Sequence, residues 1–489
     1  MLSRIGSVRS SSLSLGFGLV KRWLWSKSDT GQRFAVLWGN GDYGRLGLGS
    51  LDSHWSPAPV LCSAFRDQGL RAIACGGAHT LFLTDRAFKE TWRRKKLALC
   101  WRSNLTALKY LREPLEVSGL PKEIVRISAG YYHSGAITVD GELYMWGKNA
   151  NGQLGLGKRA PKAVPLPTKV ESLIGLTIKM AALGSEHSVA VTDGGEALSW
   201  GGGEYGRLGH ANDSTSFSFF KSTRDALVPQ MFLVLLTGNF ADRFLKLEYM
   251  PRLIKKLEGI KVKYVAAGLL HSACIDENGS AFGFRENSEA TPSLIAELPY
   301  SEEVACGGYH TCVLSSGGKL YTWGSNENGC LGIGTTMVFH QPERVQGPFS
   351  ECIVSQFPVS TPCYQMFTFK FDIGKEKIYT IANKKEDNGS LCLIPIPKKA
   401  SGRSNEHIDH LVSCGWKHTA AISEGKVFTW GWGGSHGTFS VDGHSSGGQL
   451  GHGNDVDYMK PTMINLGGDV KAFQVSCGFN HTGAILEHI

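Results

Sequence analysis

The chain has 489 residues, 42% of them hydrophobic, with 61 glycines and a formal net charge of +8. The composition is globular, and a glycine share above the usual ~7% calls for many turns, hence many short strands. Residues 1–35 carry six Lys/Arg against one acid and residues 86–112 nine against one, which leaves the body at 36 basic against 41 acidic residues and excludes a protein-wide basic surface for nucleic acid.

Taken in chain order, residues 1–33 come first. MLSRIGSVRSSSLSLGFGLVKRWLWSKSD has arginines, many serines, apolar residues and no acid before Asp29. That composition predicts an organellar transit peptide, with a disordered leader as the alternative; a secretory signal fits less well, for want of a clean apolar core and small-residue cleavage site. The longest apolar stretch elsewhere, around MFLVLL at 231–236, is far short of the ~20 residues a membrane helix needs.

The next stretch, WGNGDYGRLGLG at 38–49, contains a literal GxGxxG. A phosphate-cradling loop opens a helix and occurs once per nucleotide. Here Pro57 and Pro59 follow closely, and the stretch returns as WGKNANGQLGLG (146–157), WGGGEYGRLGH (200–210) and WGSNENGCLGIG (323–334). All share Trp-Gly, four residues, Gly, one residue, Leu-Gly; a fifth copy runs from Trp430-Gly431 to Leu450-Gly451 around 12 inserted residues. Trp38, Trp146, Trp200, Trp323 and Trp430 are therefore read as framework.

A second motif, Gly-x-x-His-Ser/Thr, occurs seven times, at Gly76, Gly130, Gly184, Gly268, Gly307, Gly415 and Gly478. Its histidines are His79, His133, His187, His271, His310, His418 and His481; the first three are 54 residues apart. A sevenfold histidine is structural rather than catalytic, and these side chains are expected to tie neighbouring backbone segments by hydrogen bonds. A third element, Pro-x-x-Val/Ile, begins at Pro57, Pro114, Pro167, Pro251, Pro292, Pro342 and Pro461. One unit then reads proline, strand, glycine turn, His-Ser/Thr, strand, tight turn, strand, Trp-Gly loop, with proline at the first position of its strand. Asp140-Gly141 and Gly194-Gly195 mark the hairpin turns. A period of this length in short strands means blades. The expectation is an all-β, seven-bladed propeller over 34–489, closed by N-terminal strand 34–49 joining the blade begun at 461–489.

Three segments break the pattern. Residues 86–112 place Trp92 at the usual 13 residues after His79, but no Gly-Leu-Gly follows. Residues 211–246 and 346–406 add length, and AFGFREN stands where the fourth Trp-Gly loop belongs. These segments read either as functional insertions on a rigid scaffold or as non-coding sequence carried into the chain; for 86–112, which replaces repeat sequence, the second reading is favoured.

Several stretches tempt a chemical reading. GQLGLGKR (152–159) nearly matches a Walker loop, but Arg159 replaces the magnesium-holding Ser/Thr. GGSHG (433–437) matches GxSxG inside a Gly/Ser-rich insertion. Cys306/His310 and Cys414/His418 suggest dyads, until the same spacing appears at Cys75/His79 and Cys477/His481. Ala129, Leu183 and Ala267 share that cysteine seat, so it is read as apolar rather than as a metal ligand or disulfide. EHIDH (406–410) with His436 and His444 has no diagnostic metal spacing. No catalytic, cofactor or metal site is expected.

Two motifs agreeing on one register over about 34–489, without a Trp-Asp signature, resemble the regulator of chromosome condensation repeat family. GNGDYGRLGLG and EGIKVKYVAAGLLHSACIDENGS are most similar to its plant mitochondrial branch. The resemblance implies a non-enzymatic scaffold supporting transcript maturation for respiratory subunits in mitochondria, with protein partners and direct RNA contact left open. It also implies an alternative, guanine-nucleotide exchange on a small GTPase, as in the family's founding member. Photoreception, another family activity, is disfavoured because Gly415-Trp416-Lys417-His418-Thr419 is the single Gly-Trp-x-His-Thr copy. No DNA partner is expected.

Overall fold

A computed structural model describes residues 33–61, 65, 69–85, 96–100, 113–121, 123–210, 247–284, 291–296, 298–346, 366–367, 381–382, 411–434 and 447–489. The leader up to residue 32, segment 211–246 and nearly all of 86–112 and 346–406 lie outside the described residues, as do Trp92, His436, His444 and EHIDH.

The regular structure of the described residues is almost all strand; the helices among them are single 3-10 turns such as Glu171–Leu173. The strands form four-stranded antiparallel sheets, each ordered from inside outward. Sheet 2 is Ile124–Ala129, His133–Thr138, Leu143–Lys148 and Ala163–Lys169; sheet 3 is Ile178–Leu183, His187–Thr192, Ala197–Gly202 and Leu247–Leu253. Sheet 4 is Val262–Ala267, Ser272–Asp276, Ala281–Phe284 and Ser293–Leu294; sheet 5 is Ser301–Cys306, His310–Ser315, Leu320–Gly324 and Phe339–Arg344. Sheet 6 is Val412–Cys414, His418–Ser423, Lys426–Gly431 and Tyr458–Met463. Sheet 7 draws Val470–Cys477 and His481–His488 from one end of the described chain and Arg33–Gly39 and His54–Pro59 from the other. These six are blades of a β-propeller. Another sheet, sheet 1, consists of Gly69–Cys75, Thr80–Asp85, Lys96–Cys100 and Leu115–Glu116, its third strand placed by backbone pairing.

The innermost strands line a central channel. Second strands such as His187–Thr192 are buried at every position, sandwiched between neighbouring sheets. Outer strands such as Phe339–Arg344 are mostly exposed. The hydrophobic core is therefore a series of inter-sheet layers; in one, Cys312 and Leu314 of sheet 5 pack with Ala420 and Ile422 of sheet 6.

The repeat unit differs from the sequence expectation in one respect. It has four strands, and the prolines belong to the outermost. Pro57, Pro167, Pro251, Pro342 and Pro461 lie inside edge strands, not at the start of an inner one. An edge strand tolerates a residue without N–H because one side of it has no ladder to complete. Pro461 accordingly belongs to sheet 6, and the closing sheet begins at Val470. Closure is made by pairing Arg33 with Glu487 through to Gly39 with His481.

Candidate functional site

Each innermost strand turns into the second strand through Gly-x-x-His, and each third strand leads into the Trp-Gly loop. Antiparallel order puts both connections at one end of the sheets, around one mouth of the channel.

The turn is tight for a steric reason. A Cβ on Gly130 would stand 2.5 Å from the Cε1 of its own His133 and 2.6 Å from the carbonyl oxygen of Gly184 in the next sheet. Gly201, after Trp200, has φ +103°, and a Cβ there would meet the Glu186 oxygen at 2.5 Å. Both glycines are demanded by close backbone approach.

The seven imidazoles join the sheets in one closed circuit. His79 Nε2 lies 2.8 Å from Ser134 Oγ, His133 from Ser188 at 3.2 Å, His187 from Ser272 at 2.8 Å, and His271 from Thr311 at 2.9 Å. His310 reaches Thr419 and His418 reaches Thr482, both at 2.9 Å, and His481 returns to Thr80 at 3.0 Å. The sequence expectation of backbone partners is corrected: the histidine meets a neighbour's hydroxyl, and the hydroxyl in turn meets backbone. Ser188 donates to Gln153 O, Ser272 to Arg207 O, Thr419 to Cys330 O, Thr482 to Gln449 O and Thr80 to Arg45 O, each at 2.8 Å. A hydroxyl has one proton to give. Having given it to the carbonyl, it can only accept from the imidazole, so these rings carry their proton on Nε2. Nδ1 of His133, His187, His418 and His481 has no hydrogen-bond partner. Charging such a ring would put an unsatisfied N–H into a dry interior. Burial holds His79, His133 and His418 down to about 3 and His187 and His481 well below their ordinary value.

The same carbonyls serve the tryptophans. Trp200 Nε1 donates to Gln153 O, Trp430 to Cys330 O and Trp38 to Gln449 O, each at 2.9 Å. Each acceptor is the variable residue of Gly-x-Leu-Gly in the preceding sheet's loop. Sheet 1 presents no such loop among the described residues, and Trp146 Nε1, fully buried, has no partner among them. Trp323 follows sheet 4, which likewise lacks the loop among described residues, and is the most exposed of the five at 8%. Phe284 takes the tryptophan seat of sheet 4, opposite Ser272 and fully buried. In sheet 1 the residue opposite Thr80 is Cys100, so the register that would have used Trp92 is not adopted.

Two loops add an arginine clamp. Arg45 donates from Nη1 to Gly77 O at 2.8 Å, and Arg207 from Nη1 to Leu269 O at 3.2 Å. Both acceptors are the first variable residue of the next sheet's turn. Burial lowers both guanidinium pKa values, opposed by Asp42 for Arg45 and by Glu204 and Glu186 for Arg207. Tyr43 and Tyr205, in the corresponding loops, sit at φ 61° and 58°, a left-handed conformation uncommon outside glycine.

The channel mouth itself is aromatic. Tyr131 meets Phe479 edge-on at 4.8 Å, Phe479 stacks on Trp416 at 4.5 Å, and Trp416 meets Trp432 edge-on at 5.5 Å. Tyr131 lies over Gly77 and Trp416 over Gly308, where any Cβ would collide with the ring. Lys417 Nζ stands 5.1 Å from the Trp416 ring centre and Lys148 Nζ 5.6 Å from that of Tyr132. Tyr131, Trp416 and Phe479 are half-buried. Sequence reading missed this ladder because Tyr131, Trp416 and Phe479 occupy the first variable position of the turn, where the mix of residues looked like tolerance, and Trp432 lies in the Trp-Gly loop.

The phosphate-loop resemblances dissolve. GQLGLGKR runs into the edge strand Ala163–Lys169 rather than a helix. No described helix is long and apolar enough to cross a membrane.

A ring of short antiparallel sheets, locked by buried neutral histidines and carrying an aromatic channel mouth, defines a β-propeller interaction module. The chain belongs to the RCC1-like domain family, whose model matches residues 34–484. Among curated relatives, the ultraviolet-B receptor UVR8 of Arabidopsis thaliana is 30% identical over 390 residues, 76% of this chain and 77% of that protein. The probable E3 ubiquitin-protein ligase HERC4 of Homo sapiens is 30% identical over 375 residues, 64% of this chain; the match spans only 32% of HERC4. Human WBSCR16 shares the fold at TM-score 0.63 and 18% identity, covering 94% of this chain and 99% of its own. Prp20p of Saccharomyces cerevisiae does so at 0.61 and 19%, covering 94% and 93%.

Proposed function

We propose that the chain is a non-enzymatic, seven-bladed propeller scaffold whose channel-mouth face docks a protein or ribonucleoprotein partner. On this reading it works in mitochondria, in support of transcript maturation and respiratory-chain biogenesis. The observation that carries the docking reading is the half-buried ladder Tyr131–Phe479–Trp416, backed by buried Trp432, with Lys417 and Lys148 beside it. Aromatic rings of this kind supply anchors at protein interfaces. Each histidine is occupied with a neighbour's hydroxyl, a framework role. Seven links in that circuit support seven blades, with sheet 1 as the seventh. The organellar part of the reading rests on the Ser/Arg-rich leader at 1–33 and on the resemblance of the repeats.

The test is affinity purification of the chain from isolated mitochondria, with and without ribonuclease, reading proteins and transcripts. A stable mitochondrial partner set that is lost on Trp416→Ala is expected. Recovery of nuclear partners alone overturns the organellar reading; a partner set unchanged by Trp416→Ala overturns the docking face.

A second reading is guanine-nucleotide exchange on a small GTPase. It is favoured by fold likeness to Prp20p, a structure described together with that protein's binding to Gsp1p and histones. Catalysed release of labelled GDP from mitochondrial or nuclear GTPases would establish it; release at the uncatalysed rate across the panel removes it.

A further inference from the structure

We propose that His310, Cys312 and Cys414 form a binding site for one divalent ion of the zinc type at the joint between sheets 5 and 6. Their ligand atoms, one imidazole nitrogen and two thiol sulfurs, all lie within 4.8 Å of one another and are buried. Cys414 Sγ donates to Ala305 O at 3.6 Å, which holds the thiol against the innermost strand of sheet 5. Tetrahedral zinc bonds of about 2.0–2.3 Å place ligands roughly 3.3–3.8 Å apart, so the three need close only by about an ångström.

The hydrogen-bond circuit prepares the imidazole. Thr419 gives its proton to Cys330 O at 2.8 Å and accepts from His310 Nε2 at 2.9 Å. Nδ1 therefore keeps its lone pair, while Nε2–H is held by the kind of outer hydrogen bond that metal-bound imidazoles carry. Among the described residues no other joint offers this set. Cys306 opposes His271, Cys477 opposes His418 and Cys75 opposes His481, yet the residues two after those histidines are Ala273, Ala420 and Gly483. Cys312 alone adds a second sulfur from the same strand face. It is fully buried, in a layer otherwise apolar.

Charge decides the valence. Two thiolates and a neutral imidazole balance a divalent ion and leave the buried site neutral; a monovalent ion would leave one net negative charge in a dry interior. Binding then replaces two S–H protons by two metal–sulfur bonds and releases both protons, with no change of oxidation state. Cys414 is only partly buried as a residue and lines the central channel, which gives the ion a route in and leaves the fourth position to water. The joint so bridged is the one whose sheets are linked by the longest connection, Arg344 to Val412.

The test uses the full reduced chain under anaerobic conditions, titrated with Cd2+ and read by its thiolate charge-transfer absorbance, with Zn2+ as competitor. One tight equivalent is expected, releasing two protons at neutral pH and protecting Cys312 and Cys414 from alkylation. Cys312→Ala should weaken that equivalent at least tenfold, whereas Cys477→Ala, which removes the thiol that sheet 7 carries in the Cys414 seat, should not. The alanine should not prevent folding, because Ala273 and Ala420 fill the Cys312 seat in sheets 4 and 6; circular dichroism of the metal-free variants checks this. Absence of a saturable one-equivalent band, or a band unaltered in Cys312→Ala, overturns the proposal.

Discussion

The unit of stability at the smallest scale is a three-part relay: imidazole N–H, hydroxyl, loop carbonyl. At Ser188 all three parts are present, whereas at Ser134 the hydroxyl is recorded with His79 alone. Ser188→Ala strands the His133 N–H and takes from Gln153 O one of its two donors, and should cost about 2–4 kcal/mol; Ser134→Ala should cost about half as much. Urea unfolding of the two variants compares them, and equal costs would argue against the relay. The relay also fixes a pH dependence. Folded-state values near 3 lie below the ordinary histidine value, so between about 3 and 6.5 the unfolded chain holds more protons than the folded one. Stability is therefore complete above pH 6.5 and declines as pH falls, by up to about 1.4 kcal/mol per pH unit for each histidine. Melting temperature should be level from pH 8 to 7 and drop between pH 6 and 5, where most carboxylates are still charged. A flat profile over that window would sink the neutral-histidine circuit.

Among elements, the third strand and its loop decide how sheets grip one another. The indole of Trp200 is pinned to the preceding loop, while that of Trp146 reaches no acceptor. Trp200→Phe should cost about 1–3 kcal/mol from the lost bond to Gln153 O, which keeps only Ser188 as donor, and from lost packing. Trp146→Phe removes a buried orphan and should be near neutral; Phe284 already shows that phenylalanine fits the seat. Chemical denaturation of both variants measures the difference, and a larger loss at Trp146 would contradict this account. The glycine turn is less forgiving. Gly130→Ala meets its own His133 ring and the Gly184 carbonyl at once, and should abolish cooperative folding, as circular dichroism would read. These three strands and their turns were legible in the sequence because a Cβ clash or a buried indole tolerates few residue types. The fourth strand was not. It lies at the rim with partial burial, so nothing imposes a strong alternation, and its proline was assigned to the wrong strand.

The whole molecule depends on its closing sheet. Arg33–Gly39 pairs along its full length with His481–His488, and Arg33 and Glu487 add an ion pair at 3.1 Å. Removing residues 1–32 should leave melting behaviour unchanged. Removing residues 1–39 deletes the third strand of sheet 7 together with Trp38 and its bond to Gln449. Sheets 7 and 1 would then lose their shared layer, with a fall of many degrees or loss of the cooperative transition. Calorimetry of the two truncations, with the full chain as reference, distinguishes a stitched ring from a dispensable strand.

By itself the sequence determined the repeat, its register, its all-β character and the framework rank of the histidines, tryptophans and glycines. Those features recur at fixed spacing because each sheet meets the next through the same contacts, and repeated contacts select repeated residues. What only the tertiary structure decided is everything made once, between residues distant along the chain. The aromatic ladder joins Tyr131 to Phe479, and the thiol cluster joins Cys312 to Cys414. The missing partner of Trp146 is felt only when sheet 1 stands beside sheet 2. Such features depend on which sheets become neighbours around the axis, and spacing along a chain carries no record of a contact that occurs a single time.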